Sequence, residues 1–183
     1  MATETSVIIR LTQSSTQSLG NIKRVIGLMP AKNIVGLIDR LDLEANPRES
    51  KLGPITEAIQ NSIHDDQESK GDKLFPFKSK GILLASSQYK ELERNRFELE
   101  FIDEMTEGIL DGGHNTLAIG ALILQEASKA LDKPEPKKKD IEIWEKFKDV
   151  WQESHDVVEQ YLTLVRDKKP SLEERGISVL DFA

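Results

Sequence analysis

The stretch Thr106–Leu131, TEGILDGGHNTLAIGALILQEASKAL, decides how this chain folds. A short apolar pair, Ile109 and Leu110, ends at Asp111; two glycines follow, and then Leu117, Ala121, Leu124 and Leu131 share one helical stripe. That order predicts a strand, a tight turn and a buried helix. Gly112 and Gly113 permit positive φ and the close approach of another group. The free N–H groups opening the helix point into the turn and favour an anion. His114, Asn115 and Thr116 stand on that first turn, where polar side chains either cap the helix or touch a ligand. Short glycine turns also serve merely as connectors. This one is neither a dinucleotide fingerprint nor a P-loop, because the GxGxxG spacing and the Gly-Lys-Ser/Thr ending are both missing.

At 183 residues the chain fits one domain, or one domain with an appendage, and can bury a core without disulfides or metal. It has no cysteine, which excludes a disulfide framework, a thiol nucleophile and a zinc-thiolate site, and which fits the cytosol. The start, MATETSVIIRLTQ, lacks the basic segment and long apolar core of a signal peptide. The run Leu117–Leu124 is too short and too interrupted to span a bilayer. The expectation is a soluble cytoplasmic protein with no membrane contact. A net charge of −7 argues against a surface that coats DNA nonspecifically, and Lys137–Lys139 reads as a solvated loop.

Three segments are expected: 1–32, an N-terminal strand and loop; 33–131, the core; 132–183, a linker, an amphipathic helix and a tail. Val7–Leu11 reads as a strand and the Ser/Thr/Gln-rich residues to Leu19 as a loop. Asn33–Leu43 is a strand or a short helix, with Asn46-Pro47 forcing an extended exit. Pro54 opens a helix whose Ile55, Ile59 and Ile63 face inward, and His64–Glu68 end it in a polar loop reaching Lys73. Gly81–Ala85 predicts a buried strand, and Phe97, Leu99 and Phe101 alternate with Glu98 and Glu100 in a strand with one wet face. Pro134 and Pro136 mark the linker. From Asp140 to Arg166 the set Ile141, Trp144, Phe147, Trp151, Val158, Leu162 and Val165 predicts one long amphipathic helix ending before Lys168, its rings serving core or interface. The closing SVLDFA resembles the start of another apolar segment, so the chain is expected to continue in a longer protein.

The run Asp111–Ile119 resembles the signature turn of the abortive-infection phage-resistance (AIPR) family, whose members carry an Asp/Asn-Gly-Gly/Cys-Gln-Thr turn in the same strand-to-helix setting. Asn46-Pro47-Arg48-Glu49 resembles that family's Asn-x-Arg opening, Ile55–Ile63 its following helix, and Phe75–Ala85 its aromatic segment running into Gly-Ile. The likeness covers roughly residues 33 to 131. The layout is similar to the wider group of ParB-like, sulfiredoxin-like and DGQHR proteins, which includes DndB-type regulators of DNA phosphorothioation. The resemblance implies a small mixed sheet in an α/β (α+β) fold, a turn that holds phosphate, and a role in bacterial anti-phage defence. In the wider group the turn ends in arginine, and here Asn115 stands at that position; a neutral amide lacks the bidentate, charge-assisted contacts of a guanidinium. Arg48 is the candidate to supply the missing charge.

The candidate ligand or phosphate residues are therefore Gly112, Gly113, Asn115, Thr116 and Arg48. His114 and Asp111 are the candidate catalytic pair: an imidazole suits proton transfer, and an aspartate orients it, binds a metal-held water, or fixes the turn through its own backbone contacts. Arg48 either holds the Asp111 carboxylate or faces the ligand. His64-Asp65-Asp66 lacks metal-ligand spacing and reads as solvated, so no metal site is expected among the protein's own side chains. Three functions follow. One is a nucleotide- or nucleic-acid-binding module, with a nucleoside triphosphate and Mg, DNA or RNA as the ligand. The second is a nuclease or NTPase of the same superfamily. The third is a scaffold that meets a partner or a second copy through the Trp144/Trp151 helix.

Overall fold

Strand β1 (Thr5–Arg10) turns Val7 inward and leaves Ile8 at the surface, the period-two alternation of an extended chain. This computed structural model describes residues 5–68 and 74–174, with side chains described as far as Arg166. The Ser/Thr/Gln-rich stretch expected as a loop is instead strand β2 (Thr12–Leu19), folded back on β3 (Ile22–Leu28) through Gly20 at φ 58°. Most of β2 is exposed, so no apolar alternation announces it. The two-residue Gly-Asn turn is its only local signal.

A 3₁₀ turn at Ala31–Ile34 runs into helix α1 (Val35–Arg40), so Asn33–Leu43 takes the helical alternative and buries Ile34, Leu37 and Ile38. Helix α2 (Pro54–Glu68) begins at Pro54 as expected. Its inward stripe is not Ile55–Ile59–Ile63: Ile55 is 61% exposed, and the residues facing the core are Thr56, Ile59, Ile63 and Asp66. Two polar residues take core positions because both are satisfied there. Thr56 Oγ1 donates to the Gly53 carbonyl at 2.9 Å, and Asp66 Oδ2 accepts the Phe75 N–H at 2.5 Å. Asp66 is thus buried, not solvated, and the helix continues through Glu68. The expected loop to Lys73 falls largely outside the described residues.

Phe75–Lys78 forms the single turn α3, followed by β4 (Leu83–Ala85), β5 (Gln88–Leu92), β6 (Arg96–Phe101) and β7 (Gly108–Asp111). β6 buries Phe97 and Phe101 and stands between β1 and β5, with Val7 opposite Leu99 and Leu99 opposite Tyr89. β4 pairs only with β7 and leaves Leu83 55% exposed, because a two-stranded ladder has too few neighbours to cover both faces. Among the described residues every strand pairing is antiparallel, so the expected mixed sheet is replaced there by three small antiparallel ones.

Helix α4 (Gly113–Ala130) is the centre of the molecule, with Leu117, Ala118, Ala121, Leu124 and Ala127 wholly buried. The single helix expected over Asp140–Arg166 is divided. A 3₁₀ turn at Lys138–Asp140 precedes α5 (Trp144–Glu153), and α6 (His155–Glu174) follows a break at Ser154. The Ser154 N–H closes α5 on the Val150 carbonyl at 3.0 Å, while its own carbonyl accepts Val157 and Val158 and starts α6. Serine suits such a start, and the break lets both helices lie against α4. One core draws on Val7, Ile34, Ile63, Leu117, Phe147 and Val158, residues from all three segments of the sequence. SVLDFA lies outside the described residues, and no described helix is long and apolar enough to cross a membrane.

The aromatic side of α5 closes the core against α1. Trp144, Phe147 and Trp151 follow one another with ring centroids 5.5 Å apart. Trp151 Nε1 donates to Asp39 Oδ1 at 2.7 Å and Trp144 Nε1 donates to Asp42 Oδ1. Lys148 Nζ donates to the carbonyls of Ile38 and, at 3.0 Å, Leu41, so a buried ammonium caps the C-terminal end of α1. Trp144 is 3% and Trp151 1% exposed, so of the two roles expected for these rings the indoles take the core one.

Glu126 is the uncomfortable residue of α4. It is buried, its Oε2 has no hydrogen-bond partner, and loss of solvation pushes its carboxyl above the usual carboxylate range, with Lys129 and His64 only partly offsetting this. A carboxyl whose pKa is raised by folding disfavours the fold when ionised and ceases to do so as pH falls through its folded pKa. Glu126→Gln is therefore expected to raise stability at neutral pH by about 1 kcal/mol. The gain should shrink toward the ordinary carboxylate range, measured as the difference in urea midpoints across pH.

Candidate functional site

Asp111 ends β7, and its Oδ1 accepts the Gly112 N–H at 2.7 Å, which is the turn-fixing role its type favours. Gly112 then takes φ 89° and ψ 17°. A Cβ there would stand 2.5 Å from the Gly81 carbonyl oxygen and 2.8 Å from Ile82 Cα. Gly113 has no positive φ and serves close approach alone: its Cβ would fall 2.3 Å from Ser50 Oγ and 2.8 Å from Asn46 Nδ2. The positions a Cβ would take on the two glycines are thus occupied by this chain's own loops. Asn115 and Thr116 are likewise engaged, with Asn115 Nδ2 donating to the Gly81 carbonyl at 2.7 Å and Thr116 Oγ1 to the Gly112 carbonyl at 3.1 Å, and both are buried. The Asn115 side chain fastens the turn to the segment entering β4, and the Thr116 hydroxyl bonds within the turn itself.

The first helical hydrogen bond of α4 runs from the Thr116 N–H to the Gly112 carbonyl at 2.9 Å. The backbone N–H groups of Gly113, His114 and Asn115 have no acceptor among the described residues. The Asn46–Ser50 loop packs against Gly113. It is held by a bond from the Arg48 N–H to Asn46 Oδ1 at 3.1 Å, and by a short pairing in which Ser50 O accepts the Trp144 N–H at 3.0 Å and Lys51 bridges Ile143. Ser50 is 1% exposed and its hydroxyl has no hydrogen-bond partner. Asn46 Nδ2 donates to no described residue either. Hydroxyl, amide and helix-terminal N–H groups therefore gather in one place with no acceptor of their own. Sequence reasoning missed Ser50 altogether, for nothing local distinguishes it, and it placed Asn46 only in the extended exit before Pro47 and in the Asn-x-Arg resemblance.

Arg48 is exposed and makes no ion pair with Asp111; of its two expected roles, holding that carboxylate is not the one observed. It lines a cleft of about 420 Å³ together with Asn46, Ser50, Trp144 and Lys148. Asp42, Glu44, Glu49, Glu145 and Asp149 also line this cleft, so its rim is acidic. Lys148 is committed to α1, which leaves Arg48 as the uncommitted cation there. His114 is half-buried on the same helix turn, and no described residue hydrogen-bonds its imidazole. The geometry sets no orienting partner beside it, and Asp111 is directed to its own turn. Among the described residues no group of three or more His, Asp or Glu is placed to hold a metal ion.

The fold and this donor cluster define a mixed α/β domain of small antiparallel sheets around a central buried helix, with an electropositive helix start bordered by an acidic cleft. No protein-family model matches the chain, and no match is found among curated proteins or solved structures.

Proposed function

We propose that this chain is a nucleotide-binding module of a bacterial anti-phage system, its turn and helix being the counterpart of the glycine turn of AIPR and ParB-like or sulfiredoxin-like proteins. The observation that carries the phosphate reading is the buried, unpartnered Ser50 hydroxyl beside the free N–H groups of Gly113–Asn115. A phosphate oxygen is the acceptor such a cluster fits, because helix-start N–H groups carry positive partial charge. Arg48, at the edge of the same loop, supplies the full charge that Asn115 lacks. The acidic rim selects against an extended polyanion, so one terminal phosphate of a small nucleotide suits the site better than a DNA or RNA backbone. The defence role rests on the resemblance of the Asp111–Ile119 turn and of the Asn46–Glu49 opening.

Calorimetric titration with ATP and with inorganic phosphate, each with and without magnesium, tests this. Ser50→Ala and Arg48→Ala are each expected to weaken binding roughly tenfold, the effect of one lost hydrogen bond to a charged group. Gly113 is a poor probe, since any Cβ there collides with Ser50. No binding, or binding that both substitutions leave unchanged, overturns the proposal.

A further inference from the structure

Among the described residues neither outer edge of the β2–β3 ribbon is paired with another strand, and most of both strands is exposed. Register places Ser15, Gln17 and Leu19 on the same face as Ile26, Arg24 and Ile22. That face carries Leu19 at 79%, Ile22 at 70% and Ile26 at 57% exposure. The opposite face is exposed at Thr16, Ser18 and Lys23 and half-buried at Val25, with Lys23 Nζ 5.4 Å from the centre of the Tyr89 ring. A two-stranded ribbon is marginal alone in water, and a free strand edge invites another strand.

We propose that β2 is a self-association edge, at which a second copy of this chain adds antiparallel to form a four-stranded sheet in the order β3-β2-β2-β3. The choice of occupant and of edge follows from charge. Proteins commonly protect an edge with lysine or proline, yet Thr12–Ile22 contains no charged residue and no proline. The register irregularity of the ribbon lies between Thr12 and Ser15, so Ser15–Leu19 remains a regular edge. Two β2 edges meet without like charges. The β3 edge does not offer this, because Lys23 and Arg24 would meet their own copies there. In the β2-to-β2 arrangement the two β3 strands stand about 14 Å apart, three strand spacings, beyond the physiological screening length of about 8 Å. The same geometry makes the Leu19, Ile22 and Ile26 patches of both copies continuous.

The absence of cysteine gives a direct test in the full chain. Ser15→Cys, Gln17→Cys and Leu19→Cys, made singly, and Glu104→Cys as an exposed control away from the ribbon, are oxidised at equal concentration. At least one β2 cysteine is expected to yield disulfide-linked dimer much faster than the control. Sedimentation across a concentration series is expected to show a dimer whose dissociation constant rises about tenfold or more in Leu19→Lys, the effect of losing an aliphatic contact and adding a charge at each end of a small strand-pair interface. Leu19 lies at the surface, so the fold tolerates the change. A strict monomer, a dimer indifferent to Leu19→Lys, or β2 cysteines that link no faster than Glu104→Cys each overturns the proposal.

Discussion

Gly112→Ala is expected to lower the stability of this protein by roughly 2–5 kcal/mol, a strained left-handed residue and an overpacked contact acting together. The residue sits at φ 89°, and its new Cβ would meet the backbone of Gly81 and Ile82 at 2.5 and 2.8 Å. Backbone cannot rotate away as a side-chain tip can. Against a typical stability of about 5–15 kcal/mol, this change brings the protein close to unfolding at ordinary temperature. Gly81→Ala separates the two causes. Gly81 also has positive φ, at 77°, but a Cβ there meets nothing within 4 Å, so only the conformational cost applies. Urea midpoints that fall by similar amounts in both variants would remove the close-approach explanation of Gly112.

Trp151→Ala is expected to cost about 3–5 kcal/mol, the usual loss for a large aromatic removed from a core. The indole is 1% exposed, stacks beside Phe147 and donates to Asp39. Trp151→Phe keeps most of the ring volume and removes the donor, so its cost, about 1–2 kcal/mol, isolates the hydrogen bond. Denaturant unfolding of both variants checks the pair. If the alanine variant proves as stable as the parent, α5 does not close the core as described.

Several features were legible in the sequence because they depend on neighbours a few residues away. The order strand, glycine turn and buried helix over Gly108–Ala130 follows from the apolar run and from Gly112, and Pro54 marks a helix start for the same local reason. The alternation in β6 is another such case. Asp111 was legible as a turn-fixing residue, and its carboxylate does accept the next N–H. Other readings went astray where polar residues are satisfied from a distance. Asp66 and Thr56 take the inward positions of α2, and hydropathy alone assigns those positions to Ile55. β2 was hidden because a ribbon exposed on both sides needs no apolar period.

The candidate site divides in the same way. Gly112, Gly113, Asn115 and Thr116 are found at the turn, but tertiary contacts decide what they do there. The Gly81 carbonyl accepts the Asn115 amide, and the loop bearing Ser50 stands where a Cβ of residue 113 would fall. The convergence of Ser50 with the start of α4 joins residues more than sixty positions apart, and no periodicity or short motif encodes it. What the sequence by itself determined is the local order of elements and a charge balance unfavourable to nonspecific nucleic-acid binding, since backbone preference and hydropathy act over short range. Only the tertiary structure decided which polar groups are left without partners, because that depends on which distant segments the core draws together around α4.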